Sequence, residues 1–356
     1  MTDDAPLSVE DVRAVLDRAH DAWDTVVDRA SVTARALRIA DVDVDVVVAG
    51  DDLAAVLLPA FDGLAAADGP ARGTVGAWDA AATGVGFPAR PGTPDTRPLR
   101  CLVRRDGRPV AEVEWPSEGA LRTADRDARL HLLAVGSPPT IAPWEAGVPL
   151  RRQLSWALGP EVQFVHAAAV GGPDGVALMM GPGGSGKSST ALACLQAGMG
   201  FLSDDYCLVR DEPPVAHRLH ATARVFDHDV PRFRGLSPAL MSAPVAPSAA
   251  GERPKALFLL QQSRPDAMLA SAPVRVLLVL EPRGRDRPRL EPLRASEALR
   301  LVAPSALWQM SIEPDRDLAG MRALVAAVPC FRLVLAEDRA ANPALVEHAL
   351  ALASAT

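Results

Sequence analysis

The sequence predicts an α/β protein with a mixed sheet over residues 151–356, preceded by a small α+β domain over residues 1–150. Two observations predict the larger part. An apolar run of strand length at 176–180 enters a glycine-rich loop at 181–188, and a helical pattern follows that loop directly. The smaller part is predicted by helical and strand patterns that alternate before residue 150.

The composition is that of a globular protein and excludes several kinds of partner. Of 356 residues, 49% are hydrophobic, which is enough to bury cores in roughly two domains. The formal net charge of −7 and the absence of a basic cluster argue against nucleic acid as a partner. An acidic start without an apolar run of ~20 residues predicts a cytoplasmic protein without signal peptide or membrane span. The four scattered cysteines are expected to be reduced.

The first domain begins with a helix signal. Ser8 and Asp11 form a variant of the capping box, which predicts a helix as far as Arg29. Valines that alternate with aspartates predict one half-buried strand over 37–49, and a helical stretch is expected over 51–64.

The rest of this domain is predicted to be a loop followed by strands. Residues 68–97 are rich in Gly, Pro, Ala and Thr and predict a long loop. Asp106-Gly107, between two strand-like runs, predicts a β-hairpin, and residues 130–135 predict a further strand. A short helix over 150–158 is expected to link the two domains.

The loop at 181–188 has the spacing Gly, four residues, then Gly-Lys-Ser. Glycines let backbone N–H groups point at phosphate oxygens without side chains in the way. Lys187 is expected to reach the β- and γ-phosphates and Ser188 to ligate Mg²⁺, while the following helix adds its dipole. The residues predicted to bind ATP and Mg²⁺ in this loop are Gly181, Gly183, Gly184, Ser185, Gly186, Lys187, Ser188 and Ser189.

Lysine usage supports a specific role for this loop. The chain has 37 Lys plus Arg, but only Lys187 and Lys255 are lysines. A compact ammonium fits between phosphates where a planar guanidinium does not, so Lys187 is not an incidental surface residue. Lys255 is either a second phosphate ligand or a solvated loop lysine.

Two neighbouring strands are predicted to bring acid–base groups to the loop. A strand over 162–170 is joined by a short link to the strand that enters the glycine-rich loop. Because the link is so short, the two strands must pair antiparallel, and this places His166 beside the loop. His166 is then either an active-site residue or a satisfied core histidine. A strand over 200–209 carries Asp204 and Asp205, whose burial requires a cationic partner such as Mg²⁺ or Lys187.

The segments 164–170, 181–188 and 201–205 resemble the three signatures of the HPr serine kinase/phosphorylase family, including its relatives in peptide-modifying gene clusters. The resemblance covers 162–210 and extends more loosely to 356. It implies a P-loop kinase core of the HPr kinase and phosphoenolpyruvate carboxykinase type.

The resemblance also implies roles for individual residues. Asp204 would accept the proton of an acceptor hydroxyl, and His166 would orient Asp204. Asp205 would hold Mg²⁺ together with Ser188, and Lys187 would stabilise the transferring phosphoryl group. A later glycine-arginine-asparagine segment of the bifunctional enzymes is not found, so HPr as acceptor, phosphorylase activity and a hexamer do not carry over.

The expected activity is therefore transfer of the γ-phosphoryl of ATP to a hydroxyl, with a serine of a peptide or protein as acceptor. A small-molecule hydroxyl as acceptor, or an ATP-binding module without transfer, are the alternatives. Residues 1–150 would form an accessory or acceptor-recognition domain, and an oligomer is possible.

Signals after residue 210 are weaker. Histidines and aspartates within 216–234 lack the spacing of a metal site, and Arg224 is a candidate contact for phosphate or acceptor. Asn342 as N-cap, with Pro343 after it, predicts a final helix to about Ser354. Further strands are expected at 274–280 and 331–336, and helices at 296–302 and 318–328.

Overall fold

A computed structural model of the chain describes residues 7–91, 98–137, 146–210, 212–233, 235–236, 255–281, 288–310, 312–335 and 341–354. These residues form two compact units. The first contains the described residues up to Pro59 and those from Ala65 to Gly159, and the second contains Ala60–Leu64 and the described residues from Pro160 onward. Within the described ranges, no helix is both long and apolar enough to cross a membrane.

The described part of the first unit contains four α-helices and eight strands. The helices are α1 (Val9–Arg29), α2 (Asp51–Leu57), α3 (Ala80–Thr83) and α4 (Arg151–Ala157). The strands are β1 (Val32–Ile39), β2 (Val42–Ala49), β3 (Ala65–Ala66), β4 (Thr74–Asp79), β5 (Leu99–Arg105), β6 (Arg108–Ser117), β7 (Ala120–Asp125) and β8 (Leu130–Val135). They form one mixed sheet in the order β3-β1-β2-β4-β8-β7-β6-β5, with β4 parallel to β2 and β8.

Two local signals in this unit are confirmed. Ser8 and Asp11 form the reciprocal capping box that starts α1, and the apolar stripe of α1 packs in the unit's core. Asp106 (φ 52°) and Gly107 (φ 76°) make the tight turn between β5 and β6, because both accept the left-handed conformation that such a turn requires.

The predictions for 37–49 and 51–64 are wrong, and one strand of this unit is missing from the predictions. The segment 37–49 is divided between β1 and β2 by a turn at Ala40 (φ 48°) and Asp41 (φ 59°). The helix predicted over 51–64 ends at Leu57 and continues as one 3₁₀ turn. Strand β7 was not expected at all.

The long loop predicted over 68–97 instead contains β4, a strand inside the sheet, while 92–97 lie outside the described residues. The small residues of this strand give no strand pattern in the sequence. Packing explains why one of them, Gly76, must be small. A Cβ added to Gly76 would lie 2.7 Å from ring atoms of Trp23 and from Leu132 Cδ2. Glycine therefore lets α1 approach the sheet closely.

The described part of the second unit contains eleven strands and five α-helices. The strands are β9 (Gln163–Val165), β10 (Ala168–Gly172), β11 (Gly175–Met180), β12 (Gly200–Ser203), β13 (Cys207–Arg210), β14 (Val215–Arg218), β15 (Thr222–Phe226), β16 (Lys255–Leu259), β17 (Ser271–Glu281), β18 (Arg289–Leu293) and β19 (Cys330–Val334). The helices are α5 (Lys187–Gln196), α6 (Leu260–Ser263), α7 (Ala295–Met310), α8 (Pro314–Ala327) and α9 (Asn342–Ser354).

The sheet of this unit is mixed, and β17 holds its two parts together. The order is β12-β10-β11-β17-β14-β13-β9, with β19 and β18 added beyond β17. Strand β17 runs parallel to β11 and β19 and antiparallel to β14. The antiparallel pairing of β10 with β11 agrees with the prediction from their short link.

Helices cover both faces of this sheet. Helices α5 and α9 pack on one face through Leu192, Leu195, Val346 and Ala349. Helices α7 and α8 pack on the other face, where Val302, Met321 and Leu324 are buried. Strands β15 and β16 form a separate two-stranded ribbon.

Two strands that the sequence predicts as continuous are broken at the same level. The run 162–170 divides into β9 and β10, with His166 and Ala167 between them. The run 200–209 divides into β12 and β13, with residues 204–206 between them. Because β10 pairs with β12 and β9 pairs with β13, the two gaps face each other.

Candidate active site

The glycine-rich loop connects β11 to α5, as the sequence predicts. Gly186 begins α5 with φ 97°, and a Cβ there would lie 2.8 Å from Leu335 Cδ1, so both backbone conformation and packing require glycine. A Cβ added at Gly183 or Gly184 would meet no atom within 4 Å. The loop therefore borders open space at the N-terminus of a ten-residue helix.

This space is a cavity of about 380 Å³ within the second unit. The loop and the first turn of α5, residues 183–190, form its floor. The lining also includes the ionisable residues His166, Asp205, Arg224 and Lys255, together with aromatic Phe226. Leu335 and Asn342, near the start of α9, line the same cavity.

The structure thus brings together most of the predicted site residues. Gly183, Gly184, Ser185, Gly186, Lys187, Ser188, Ser189, His166 and Asp205 all line the cavity. Gly181 lies at the base of the loop, where its carbonyl accepts a hydrogen bond from Lys187 Nζ at 2.8 Å. Asp204 is only 4% exposed and lies behind the surface of the cavity.

Lys187 is held by its own loop. Its Nζ donates to the carbonyl oxygens of Gly181 (2.8 Å) and Pro182 (3.2 Å), and the residue is 6% exposed. Burial lowers the pKa of Lys187, while the negative charges of Asp205 and Asp204 oppose that shift. The ammonium is therefore positioned at the loop without a direct ion pair to either aspartate within the described residues.

Arg224 provides the cationic partner that sequence reasoning assigned to Lys187 and Mg²⁺. Its guanidinium forms an ion pair with Asp205 Oδ2, and its backbone N–H donates to Asp204 Oδ2 at 2.9 Å. A single residue of β15 therefore binds both carboxylates. Arg224 also lines the cavity, so its contact with phosphate or acceptor stays a prediction.

The two aspartates have opposite pKa shifts. Burial, followed by the charge of Asp205, raises the pKa of Asp204 to about 7, although hydrogen bonds from Ser188 and Arg224 oppose the shift. Burial also acts to raise the pKa of Asp205, but the charge and hydrogen bonding of Arg224 outweigh it, with help from His166 and Lys255. Asp205 is therefore the more firmly ionised member of the pair.

His166 lies beside Asp205. Its Nε2 is 3.9 Å from Asp205 Oδ1, and its ring stacks on Tyr206 with centroids 5.3 Å apart. The role that the resemblance implies for His166 toward Asp204 stays a prediction.

The cavity fits a triphosphate with a divalent cation. Ser185 Oγ, Thr190 Oγ1 and Asp204 Oδ1 are buried without a hydrogen-bond partner among the described residues. Unpaired buried polar atoms are unfavourable unless a ligand satisfies them. Loop N–H groups suit phosphate oxygens, and the hydroxyl of Ser188 and the carboxylate of Asp205 are oxygen donors of the kind Mg²⁺ takes.

The ribbon closes the cavity on the acidic side. Lys255 lies on β16 and not in a loop, opposite Phe226 of β15, and its Nζ is 5.1 Å from the centre of the Phe226 ring. The ring of His228 stacks on the same Phe226 ring, with the two ring centroids 5.6 Å apart. Among the described residues, no three His, Cys, Asp or Glu side chains are grouped so that they could hold a metal ion.

All four cysteines are buried free thiols, which confirms the reading of the composition. Burial raises the pKa of Cys194 and of Cys207 to about 12, so neither thiol is a nucleophile near neutral pH.

The chain was compared with known proteins by three routes. A scan against protein-family models and a search of curated proteins each give no match. Among solved structures, the HPr(Ser) kinase/phosphatase from Coxiella burnetii is similar over 54% of this chain and 91% of that chain, with 11% sequence identity and a TM-score of 0.31. At that identity and TM-score the likeness is limited to the general mixed α/β arrangement and carries no argument about activity.

Proposed function

We propose that this protein is a kinase that transfers the γ-phosphoryl group of ATP to a hydroxyl, with a serine of a peptide or protein as acceptor. The observation that carries the proposal is the pair Asp204 and Asp205, whose pKa values are shifted in opposite directions beside a phosphate-type loop. Binding a nucleotide requires no such pair. Two neighbouring carboxylates with separated pKa values are typical of acid–base chemistry.

The residues divide the work as follows. Asp205, kept ionised by Arg224, and Ser188 would hold Mg²⁺, whose charge would stabilise the phosphates of the nucleotide. Asp204, with a pKa raised toward neutrality, takes the proton of the acceptor hydroxyl. Lys187 stays at the loop and stabilises the negative charge on the transferring group.

The proposed transfer exchanges one phosphorus–oxygen bond for another. The hydroxyl oxygen forms a bond to the γ-phosphorus as the bond from that phosphorus to the β–γ bridging oxygen breaks. The products are the phosphorylated acceptor and ADP, and the hydroxyl proton leaves with Asp204. His166, which contacts Asp205, positions the ionised carboxylate and does not receive the proton.

The test is transfer of labelled γ-phosphate from ATP, with fractionation of the product by size. Candidate peptides and a cell lysate serve as acceptor pools, and Asp204→Asn and Asp205→Asn are compared with the unaltered protein. We expect label in a peptide or protein, lost in Asp204→Asn while nucleotide binding is retained. Asp205→Asn should instead lose the Mg²⁺ dependence of nucleotide binding.

Other outcomes identify the alternatives. Label in a small molecule would indicate a small-molecule kinase with the same nucleotide chemistry. Nucleotide binding without ADP formation in any acceptor pool would contradict the kinase and leave an ATP-binding module. Undiminished transfer by Asp204→Asn would remove Asp204 as the base.

A further inference from the structure

Asn342 carries a buried amide without a hydrogen-bond partner among the described residues. The residue is 0% exposed, and neither Oδ1 nor Nδ2 has a hydrogen-bond partner in the described part of the chain. Leaving an amide buried and unpaired is unfavourable by roughly 1–3 kcal/mol. Such a position is retained more readily where a ligand completes the hydrogen bonds.

The position of Asn342 on its helix makes the amide more unusual. Asn342, Val346 and Ala349 are spaced i, i+4 and i+7 on α9, and all three are 0% exposed. Val346 and Ala349 belong to the apolar cluster between α9 and α5. An apolar residue at 342 would continue this stripe, but an amide stands there, at the point where the stripe reaches the cavity.

Helix capping does not explain the residue. The sequence predicts that Asn342 caps α9, but its Oδ1 accepts no hydrogen bond from the first turn or from any other described group. The expected cap is therefore not formed, and the amide of Asn342 keeps its full hydrogen-bonding capacity unused among the described residues.

Asn342 and Leu335 are uncharged residues that line the same cavity as the loop and Asp205. Leu335 lies close to the loop at Gly186, whereas Asp205 is paired with Arg224 of the ribbon and Lys255 lies on β16. In a phosphate loop the lysine reaches the β- and γ-phosphates, so the γ-phosphate belongs with Lys187 and the acids. A neutral amide beside a leucine suits the nucleoside of the same ligand better than its charged phosphates.

We propose that Asn342 is a specificity residue that recognises the edge of the adenine base, with Leu335 against the base. This inference rests on the proposed nucleotide-binding function. Adenine presents an N6 amino donor next to a ring-nitrogen acceptor, and an asparagine amide matches this pair with its carbonyl oxygen and its amino group. Because Asn342 is 0% exposed, its contact with the base requires the side chain to rotate into the cavity.

The test compares binding of ATP, GTP and inorganic tripolyphosphate, each with Mg²⁺, by isothermal titration calorimetry. Asn342→Leu removes the amide at similar size, and Asn342→Ser serves the same comparison if the leucine variant does not fold. Glu347→Gln, at an exposed position of the same helix, is the matched control. We expect Asn342→Leu to weaken ATP binding by about tenfold while tripolyphosphate binding is unchanged.

Thermal unfolding without ligand separates recognition from a structural role. Because the amide is unpaired in the ligand-free protein, Asn342→Leu should unfold at the same or a higher temperature. Three results for Asn342→Leu would overturn the adenine assignment. The variant binds ATP with unchanged affinity, it loses equal affinity for ATP and for tripolyphosphate, or it loses a preference for GTP that the unaltered protein shows. If the unaltered protein binds neither ATP nor tripolyphosphate, the proposed function itself fails.

Discussion

His166 Nε2 lies 3.9 Å from Asp205 Oδ1 because the two strands that carry these residues are interrupted at the same level. Below the gap, Val165 pairs with Cys207, and above it Ala169 pairs with Ser203. The residues in the gap lie outside the strand ladders, and two of them, His166 and Asp205, line the cavity. The candidate site is therefore a defect in the sheet that the surrounding pairing keeps in place.

The two lysines of the chain allow a direct test of the loop. Lys187→Ala should reduce phosphoryl transfer by about 100-fold or more, because a preorganised charge-stabilising group is removed. Lys255→Ala removes the other lysine that lines the cavity and should have a smaller effect, because Lys255 lies at the exposed end of β16. Initial rates of labelled phosphate transfer measure both, and equal losses would contradict a special role of Lys187.

Arg224 should stabilise the ligand-free fold through the acidic pair. Arg224→Met leaves Asp205 buried without its ion-pair partner, which is expected to cost roughly 3–5 kcal/mol at pH 8. The double variant Arg224→Met with Asp205→Asn should recover part of this loss, because the unpaired charge is then absent. Urea denaturation of the unaltered protein, the two single variants and the double variant gives the coupling free energy between Arg224 and Asp205. A coupling near zero would show that this ion pair does not stabilise the fold.

His131 of β8 should make the first unit sensitive to acid. Burial, together with the charges of Arg126 and His20, lowers the pKa of His131 to about 3, from 6.5 for an unperturbed histidine. Between these values the unfolded chain binds a proton that the folded chain does not, so the free energy of unfolding falls as pH drops from 6.5 toward 3.

His131→Gln should remove this contribution and flatten the pH dependence by up to about 1.4 kcal/mol per pH unit. His348→Gln, at an exposed position of α9, is the control. Denaturation midpoints between pH 4 and 7 provide the comparison. A pH profile of His131→Gln that matches the unaltered protein would show that the histidine is not protonated on unfolding.

Gly76 should be required for the contact between α1 and the sheet. Gly76→Ala places a methyl group 2.7 Å from Trp23 and Leu132, and overpacking of this kind costs roughly 1–3 kcal/mol. Gly86→Ala meets no atom within 4 Å and should be neutral. A thermal shift of equal size for both variants would contradict the packing argument.

Features encoded by neighbouring residues were predictable from the sequence. The capping box at Ser8, the turn at Asp106-Gly107 and the order of β11, loop and α5 each depend on a few adjacent residues. The cavity floor, and the nearness of His166 to the loop, follow from such local signals and from the short link between β10 and β11.

Features set by distant pairing were not predictable. The run 200–209 is apolar on both sides of its aspartates, and only its partners β10 and β9 decide that it must break. Arg224 meets Asp205 across 19 residues without any periodic signal. At Asn342, a strong local signal for a helix cap concealed a residue that faces the cavity.

The central place of β17 in the second sheet has a consequence for the order of events during synthesis. Strand β11, which carries the loop, has only the hairpin partner β10 until residues 271–281 leave the ribosome. A nascent chain that ends before β17 exposes one whole edge of β11 and is open to pairing with other chains. The loop can therefore reach its final position only after β17, about a hundred residues further along the chain, has been synthesised.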